Sequence, residues 1–284
     1  VTVVGWLTSI IQRAEASQER INDFLNTAPD LVSGDLAIDE VKGELHFKEV
    51  HLTYQDTNIE AIKGVSFTVK PGETLAILGK TGSGKSSVMD LAARLLDPTS
   101  GTILLDQKDL KSYNLDQLRA EIGAVPQDAF LFSETIKSNI KFGSKNASDD
   151  EIVSAAKMAD VHDNILSFPD GYDTQLGERG ISLSGGQKQR VSIARALIKQ
   201  AKIYLFDDCL SAVDTETEEV ILENIKKLTA HKTTLIVSHR ISTIKHADRI
   251  IVIEDGKIVQ EGTHAELVER EGFYKHLYHE QLVA

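Results

Sequence analysis

The chain has 284 residues, with 31 Lys and Arg against 43 Asp and Glu, a formal charge of −12, 41% hydrophobic and 26% charged residues. This is ordinary globular composition for one large or two modest domains, with a core big enough to need no covalent staples. The acidic balance repels phosphate backbones and anionic lipid, which argues against a nucleic-acid partner. A single cysteine, Cys209, excludes an intrachain disulfide, and with scattered histidines it leaves no cluster of metal-ligand spacing.

In chain order, Val1–Leu25 reads as a helix that starts apolar and becomes charged from Arg13, with Ile10, Ala14, Ser17, Ile21 and Leu25 near helical spacing. Its apolar opening, Val1–Ile11, is shorter than the about twenty residues that span a bilayer and lacks the leader and cleavage site of a signal peptide. Because the first residue is Val, the chain reads as a fragment. Its opening is then either an ordinary amphipathic helix or the cytoplasmic end of a membrane helix. Pro29, Ser33 and Gly34 mark a linker, so residues 1–34 are set apart from a domain covering 35–284.

From Gly43 the period becomes two. Leu45 and Phe47, then Val50, Leu52 and Tyr54, then Val65, Phe67 and Val69 alternate with polar residues, and Pro71-Gly72 closes the run, as in antiparallel strands with one wet face. Leu75–Leu78 is instead continuously apolar and ends in glycines, as a strand buried on both faces requires. A helix is expected from Lys85 to about Leu95. Similar buried runs recur at Ile203–Phe206 and Thr234–Val237, each followed by a helical pattern, so the core is expected to be a mainly parallel α/β sheet. Between them, residues 128–195 read as a helical subdomain, with Ser148 to Glu151 forming a capping box. Asp255-Gly256 signals a hairpin, and Thr263 with Glu266 a second capping box.

The chemistry concentrates in Gly79-Lys80-Thr81-Gly82-Ser83-Gly84-Lys85-Ser86, a complete G-x-x-x-x-G-K-[ST] placed after a buried strand and opening a helix. Glycines let successive backbone N–H groups converge on phosphates, and the helix N-terminus adds a favourable dipole. Lys85 is expected to reach the β- and γ-phosphates of ATP, Ser86 to ligate Mg²⁺, and neighbouring Ser87 to complete the nucleotide site. Such a loop needs an acidic partner for the cation. Asp207, leaving the buried run Ile203–Phe206, supplies it, and Asp208 is placed to meet an attacking water.

Leu183-Ser184-Gly185-Gly186-Gln187 then resembles the signature motif of the ABC ATPases, and the order of motifs resembles that family over roughly Gly43–His279. The resemblance implies an ABC ATPase fold, that is, a P-loop NTPase with a mainly parallel core sheet, an antiparallel β subdomain and a helical subdomain. It also implies further roles. Tyr54 resembles the aromatic that stacks on adenine, and Gln127 the Q-loop glutamine that touches Mg²⁺ or water. Ser211–Asp214 resembles the D-loop, and His239 the switch histidine that contacts the γ-phosphate. In this family two domains close head to tail, so Ser184, Gly185, Gly186 and Gln187 would serve the ATP held by a partner. Gly177-Glu178-Arg179-Gly180 resembles the X-loop of exporters, whose charges meet the transmembrane domains. Together with the N-terminal helix, this implies an exporter motor at the cytoplasmic face of the cell membrane.

Asp208 departs from the family pattern, which has Glu there. One methylene less leaves the carboxylate short by more than about 1 Å, a misplacement that costs about a hundredfold in rate. ATP binding should survive, because Lys85, Ser86 and Asp207 are intact. Either the chain hydrolyses slowly as a homodimer, or it is the degenerate-site subunit of a heterodimer whose partner carries Glu. The intact Ser184–Gln187 segment favours the heterodimer, since it could complete an active site on that partner. Two other classes make different demands on the sequence. A soluble ABC protein acting on DNA or ribosomes would carry two such domains or a coiled-coil insertion, and a regulatory nucleotide-binding module would show little turnover.

Overall fold

The computed structural model describes residues 2–177 and 183–283. They divide into two compact units, one ending at Val32 and the other beginning at Ser33. The first unit holds the helix α1 (Thr2–Asn26). None of the described helices is long and apolar enough to cross a membrane.

The second unit runs, in order, β1 (Leu45–Tyr54), β2 (Ile59–Val69), β3 (Thr74–Leu78), α2 (Lys85–Ala92), β4 (Ser100–Leu105), β5 (Lys108–Asp109), α3 (Leu115–Ala120), β6 (Ile122–Val125), α4 (Ile136–Lys141), α5 (Asp149–Met158), α6 (His162–Leu166) and α7 (Gly185–Leu197). It continues with β7 (Ile203–Asp207), α8 (Thr215–Thr229), β8 (Thr233–Val237), α9 (Ile241–Ile244), β9 (Arg249–Glu254), β10 (Lys257–Gly262), α10 (His264–Glu269) and α11 (Phe273–Val283).

Two sheets form. The first is antiparallel, in the order β2-β1-β4-β5. Its alternation is interrupted where the register shifts between Phe47 and Val50, at Glu49 with φ 44°. That irregularity lets Phe47 and Val50, three residues apart, both point inward. Phe47 stacks on Phe67 across the pair at 4.4 Å between ring centroids.

The second sheet runs β10-β9-β3-β8-β7-β6, parallel except for the β9–β10 hairpin at Asp255-Gly256. Its central strands are apolar throughout because they feed two cores at once. Leu75 and Ile77 of β3 join the core shared with the antiparallel sheet, whereas Ala76 and Leu78 join the one under α9, α10 and α11. Likewise Ile203 and Leu205 of β7 face one side while Tyr204 and Phe206 face the helical region.

In that helical region α4 and α5 pack against α7, burying Ile136, Ile140, Ile152, Val191 and Ala194. Arg195 locks α7 to α4, donating to the carbonyl of Asn139 at 2.8 Å, to its side-chain oxygen at 2.7 Å and to the Phe130 carbonyl at 2.8 Å. Burial pushes the Arg195 guanidinium down to about 10. The capping boxes expected at Ser148–Glu151 and Thr263–Glu266 are both made, and Ser184–Gln187 makes a third at the start of α7. Of the tetrapeptide Gly177–Gly180, everything from Glu178 onward lies outside the described residues.

Candidate active site

The parallel register brings the ends of four strands to one edge of the sheet. Ile77 pairs with Val237, Asp207 with Val237, and Val125 with Phe206. The loops leaving β3, β8, β7 and β6 therefore carry Gly79–Ser86, Ser238 and His239, Asp207 and Asp208, and Gln127 to the same crevice. Ligands of open parallel sheets bind outside this carboxyl edge.

The phosphate loop is held at several points. Gly84, at φ 102°, precedes α2, and a Cβ there would lie 2.5 Å from the Ala61 carbonyl oxygen, so the turn admits no side chain. The N–H of Gly256, in the β9–β10 turn, donates to the Ser83 carbonyl at 3.2 Å. Lys85 is buried and its Nζ donates to the Lys80 carbonyl at 2.8 Å, bent back over its own loop. Burial pushes the Lys85 ammonium below the ordinary lysine range, and the charges of Asp207 and Asp208 oppose that shift. Lys80, Thr81 and Gly82 form an exposed tip, with the Lys80 ammonium 5.8 Å from the centre of the Phe273 ring. Ser87 is buried and shares a 3.0 Å hydrogen bond with the hydroxyl of Tyr54, which stands at the end of β1.

Burial raises the Asp207 carboxyl above the usual carboxylate range, while a hydrogen bond from Ser86 and the charge of Lys85 pull it back. The Oδ1 of Asp207 and the Oγ of Ser83 are buried with no hydrogen-bond partner among the described residues. Such orphaned atoms are costly unless a ligand completes them. An acceptor beside Ser86 and a hydroxyl inside a loop of glycines and lysine fit a divalent cation and a phosphate chain. Ser86 and Asp207 would hold the cation, whose chemistry when bound is to neutralise charge between phosphate oxygens.

Asp208 adopts φ 41°, the left-handed region, and its N–H donates to the Val237 carbonyl at 2.9 Å. Asp tolerates this backbone better than most residues. The conformation aims the carboxylate at the next strand's end, where His239 Nε2 stands 3.9 Å from Asp208 Oδ2. Burial raises the Asp208 carboxyl, and the imidazole and backbone N–H of His239 oppose the shift. Gln127 is exposed just past β6, on the crevice side of the sheet edge, with no described hydrogen bond to the other site residues.

Ser184, Gly185, Gly186 and Gln187 form a separate group at the N-terminus of α7. The Ser184 hydroxyl is engaged in accepting from the Gln187 N–H at 3.2 Å, and no described hydrogen bond joins these four residues to the phosphate loop. They connect instead to the loop after β7. A Cβ on Gly186 would lie 2.8 Å from the Ala212 carbonyl oxygen, so glycine permits this approach. Gln189 donates to Ser211 Oγ at 3.2 Å, and Ser211 Oγ donates to the Asp208 carbonyl at 3.0 Å. Asp214, in the same loop, caps α8 by accepting from the Thr217 N–H at 2.9 Å.

Three residues that sequence reasoning passed over complete this linkage. Arg240 donates to the carbonyls of Ser211 at 3.0 Å and Val213 at 3.2 Å and pairs with the buried Glu218, which Thr243 also contacts. Position beside His239 was the available signal for Arg240. Gln189 and Glu218 gave none, since polar helix residues are ordinarily solvated.

A phosphate loop on β3, acids at the end of β7 and a histidine after β8 define a P-loop nucleotide-binding fold with an added antiparallel sheet and helical subdomain. Comparison with known proteins narrows the class. The ABC transporter family profile matches residues 62–211, and the chain belongs to that family. The uncharacterized ABC transporter ATP-binding protein YfiB of Bacillus subtilis is 48% identical over 99% of this chain and 49% of its own length. YgaD of the same organism, provisionally named a multidrug export ATP-binding/permease protein, is 43% identical over 95% of this chain and 47% of its own. Among solved structures, a bacterial Atm1-family ABC exporter with ATP bound superposes with a TM-score of 0.91 at 37% identity, covering 98% of this chain and 49% of that one. The chain thus spans about half the length of the relatives it matches.

Proposed function

We propose that this chain is the ATP-binding and ATP-hydrolysing motor domain of an ABC exporter, closing head to tail with a second nucleotide-binding domain at the cytoplasmic face of a membrane. The observation that carries the reading is the pair of orphaned buried atoms, Ser83 Oγ and Asp207 Oδ1, in a crevice that also holds Lys85, Asp208 and His239. The exporter assignment draws on relatives whose names join ATP binding to a permease. In this reading residues 1–34 link the domain 35–284 to transmembrane domains, and the transported substrate is chosen there.

In the site, Lys85 Nζ leaves the Lys80 carbonyl to neutralise the β- and γ-phosphates. Tyr54 would offer its ring to adenine, and Ser86, Asp207 and Gln127 would hold Mg²⁺. Asp208 Oδ2 would accept a hydrogen bond from the attacking water, and His239 Nε2, 3.9 Å from it, would contact the γ-phosphate. Ser184 to Gln187 make no described hydrogen bond to the phosphate loop and would serve the partner's nucleotide.

A second reading is favoured by one residue. Asp208 is shorter than the family's Glu, which suits the slow, degenerate-site subunit of a heterodimer. The test is Mg-ATP-dependent phosphate release by the chain alone and mixed with its own Asp208→Glu variant. A mixture faster than the average of its parts supports complementation across the dimer. No phosphate release in any mixture, with ATP still bound, would make the chain a regulatory nucleotide-binding module.

A further inference from the structure

The C-terminal helix α11 reaches the site through a residue that the proposed function does not use. The side-chain oxygen of Gln281 accepts the N–H of Ile241 at 2.8 Å, and its amide nitrogen donates to the carbonyl of His239 at 2.7 Å. One carboxamide therefore bridges the peptide groups on either side of Arg240, between the end of β8 and the start of α9. Helix α9 has only four residues, and its N-cap, Arg240, makes no side-chain cap. The first N–H groups of any helix lack an internal partner, and Gln281 supplies one from forty residues further along the chain.

Helix α11 is anchored at its start. Tyr274 is fully buried near the helix start, its hydroxyl 2.7 Å from His264 Nδ1 and its N–H donating to Gln260 Oε1 at 3.1 Å. Gln281 itself is exposed. It adds little to the core, so its two bonds act on the turn they hold. The turn carries the imidazole that stands 3.9 Å from Asp208. It also carries Arg240, which holds the carbonyls of the loop after β7.

We infer that Gln281 is a positioning residue for His239: by fixing the backbone at His239 and Ile241, it sets where the imidazole meets the γ-phosphate side of the crevice. The consequence for turnover rests on the proposed ATPase reading; the consequence for the backbone does not. Two substitutions in the full chain separate the bonds. Gln281→Met keeps the side chain's length and removes both, and Gln281→Glu keeps the acceptor for the Ile241 N–H while removing the donor to the His239 carbonyl.

Two readouts need no ATP, namely the exchange rate of the Ile241 amide and the imidazole ring resonances of His239 by NMR. With Gln281→Met, the Ile241 amide should exchange about tenfold faster, as local opening allows, and the His239 resonances should shift while the unfolding midpoint stays put. With Gln281→Glu, the Ile241 protection should return while the His239 resonances remain displaced. ATP turnover should fall several-fold in both variants with KM for ATP unchanged. Parent-like exchange and resonances in both variants would overturn the inference, as would a fall in the unfolding midpoint that accounts for the lost turnover. If the parent chain releases no phosphate, the ATPase reading fails, and the exchange and resonance measurements still decide the role of Gln281.

Discussion

The side-chain oxygen of Gln189, in α7, accepts the backbone N–H of Ala212, in the loop after β7, at 3.0 Å. With the Gln189–Ser211 bond and the close approach of Gly186 to Ala212, this ties the start of α7 to the segment that follows Asp208. The group proposed to serve a partner's nucleotide is thus braced against the backbone of Asp208, the proposed acceptor for the attacking water.

Gln189 is buried whereas Ala212 is exposed, so removing the carboxamide leaves the Ala212 N–H to water. Gln189→Leu should destabilise the domain by about 0.5–1.5 kcal/mol, the net worth of a typical hydrogen bond. Urea unfolding checks this, with the midpoint lowered and the slope unchanged.

Asp208→Glu should raise phosphate release by up to about a hundredfold, because the longer side chain carries the carboxylate to the water. Asp208→Asn should abolish release while leaving ATP affinity near that of the parent. Steady-state kinetics with a nucleotide-binding titration distinguishes the two effects. No gain with Glu would defeat the geometric account of Asp208.

The carboxyls of Asp90, Asp207 and Asp208 are all raised above their ordinary values by burial first. In the folded state these groups bind protons more readily than in the unfolded chain, so they favour unfolding at neutral pH. That penalty is relieved as pH falls through their raised values. Asp208→Asn should therefore raise the unfolding midpoint at pH 7, and its advantage should shrink on acidification toward pH 4. Turnover has the opposite dependence. On its proposed role Asp208 acts ionised, so turnover should decline as pH falls and the carboxylate takes up its proton.

Mg-ATP should raise the unfolding midpoint, since a ligand at a hundred times its Kd stabilises the folded state by about 2.7 kcal/mol. Chelating Mg²⁺ should remove most of that gain, and Lys85→Ala should remove nearly all of it. Thermal unfolding with and without nucleotide provides the measurement. An unchanged ATP response in Lys85→Ala would place the nucleotide elsewhere.

Much of this protein was legible in its residues. The unbroken apolar runs of β3, β7 and β8 announce strands buried on both faces, because only such strands have no wet side to mark with polar residues. The phosphate loop, Asp207, Asp208 and His239 each follow one of these runs, so a parallel sheet had to bring them to one edge. Less visible were the features that depend on partners distant in sequence. The left-handed backbone of Asp208 and the burial of Glu218 beneath Arg240 leave no local pattern. Nor does the brace from Gln189 to Ala212 or the reach of Gln281 to His239. A glutamine on a helix looks the same in sequence whether it faces water or an orphan N–H. Periodicity records which face of an element is apolar, and hydrogen-bond partners are chosen only when the elements pack.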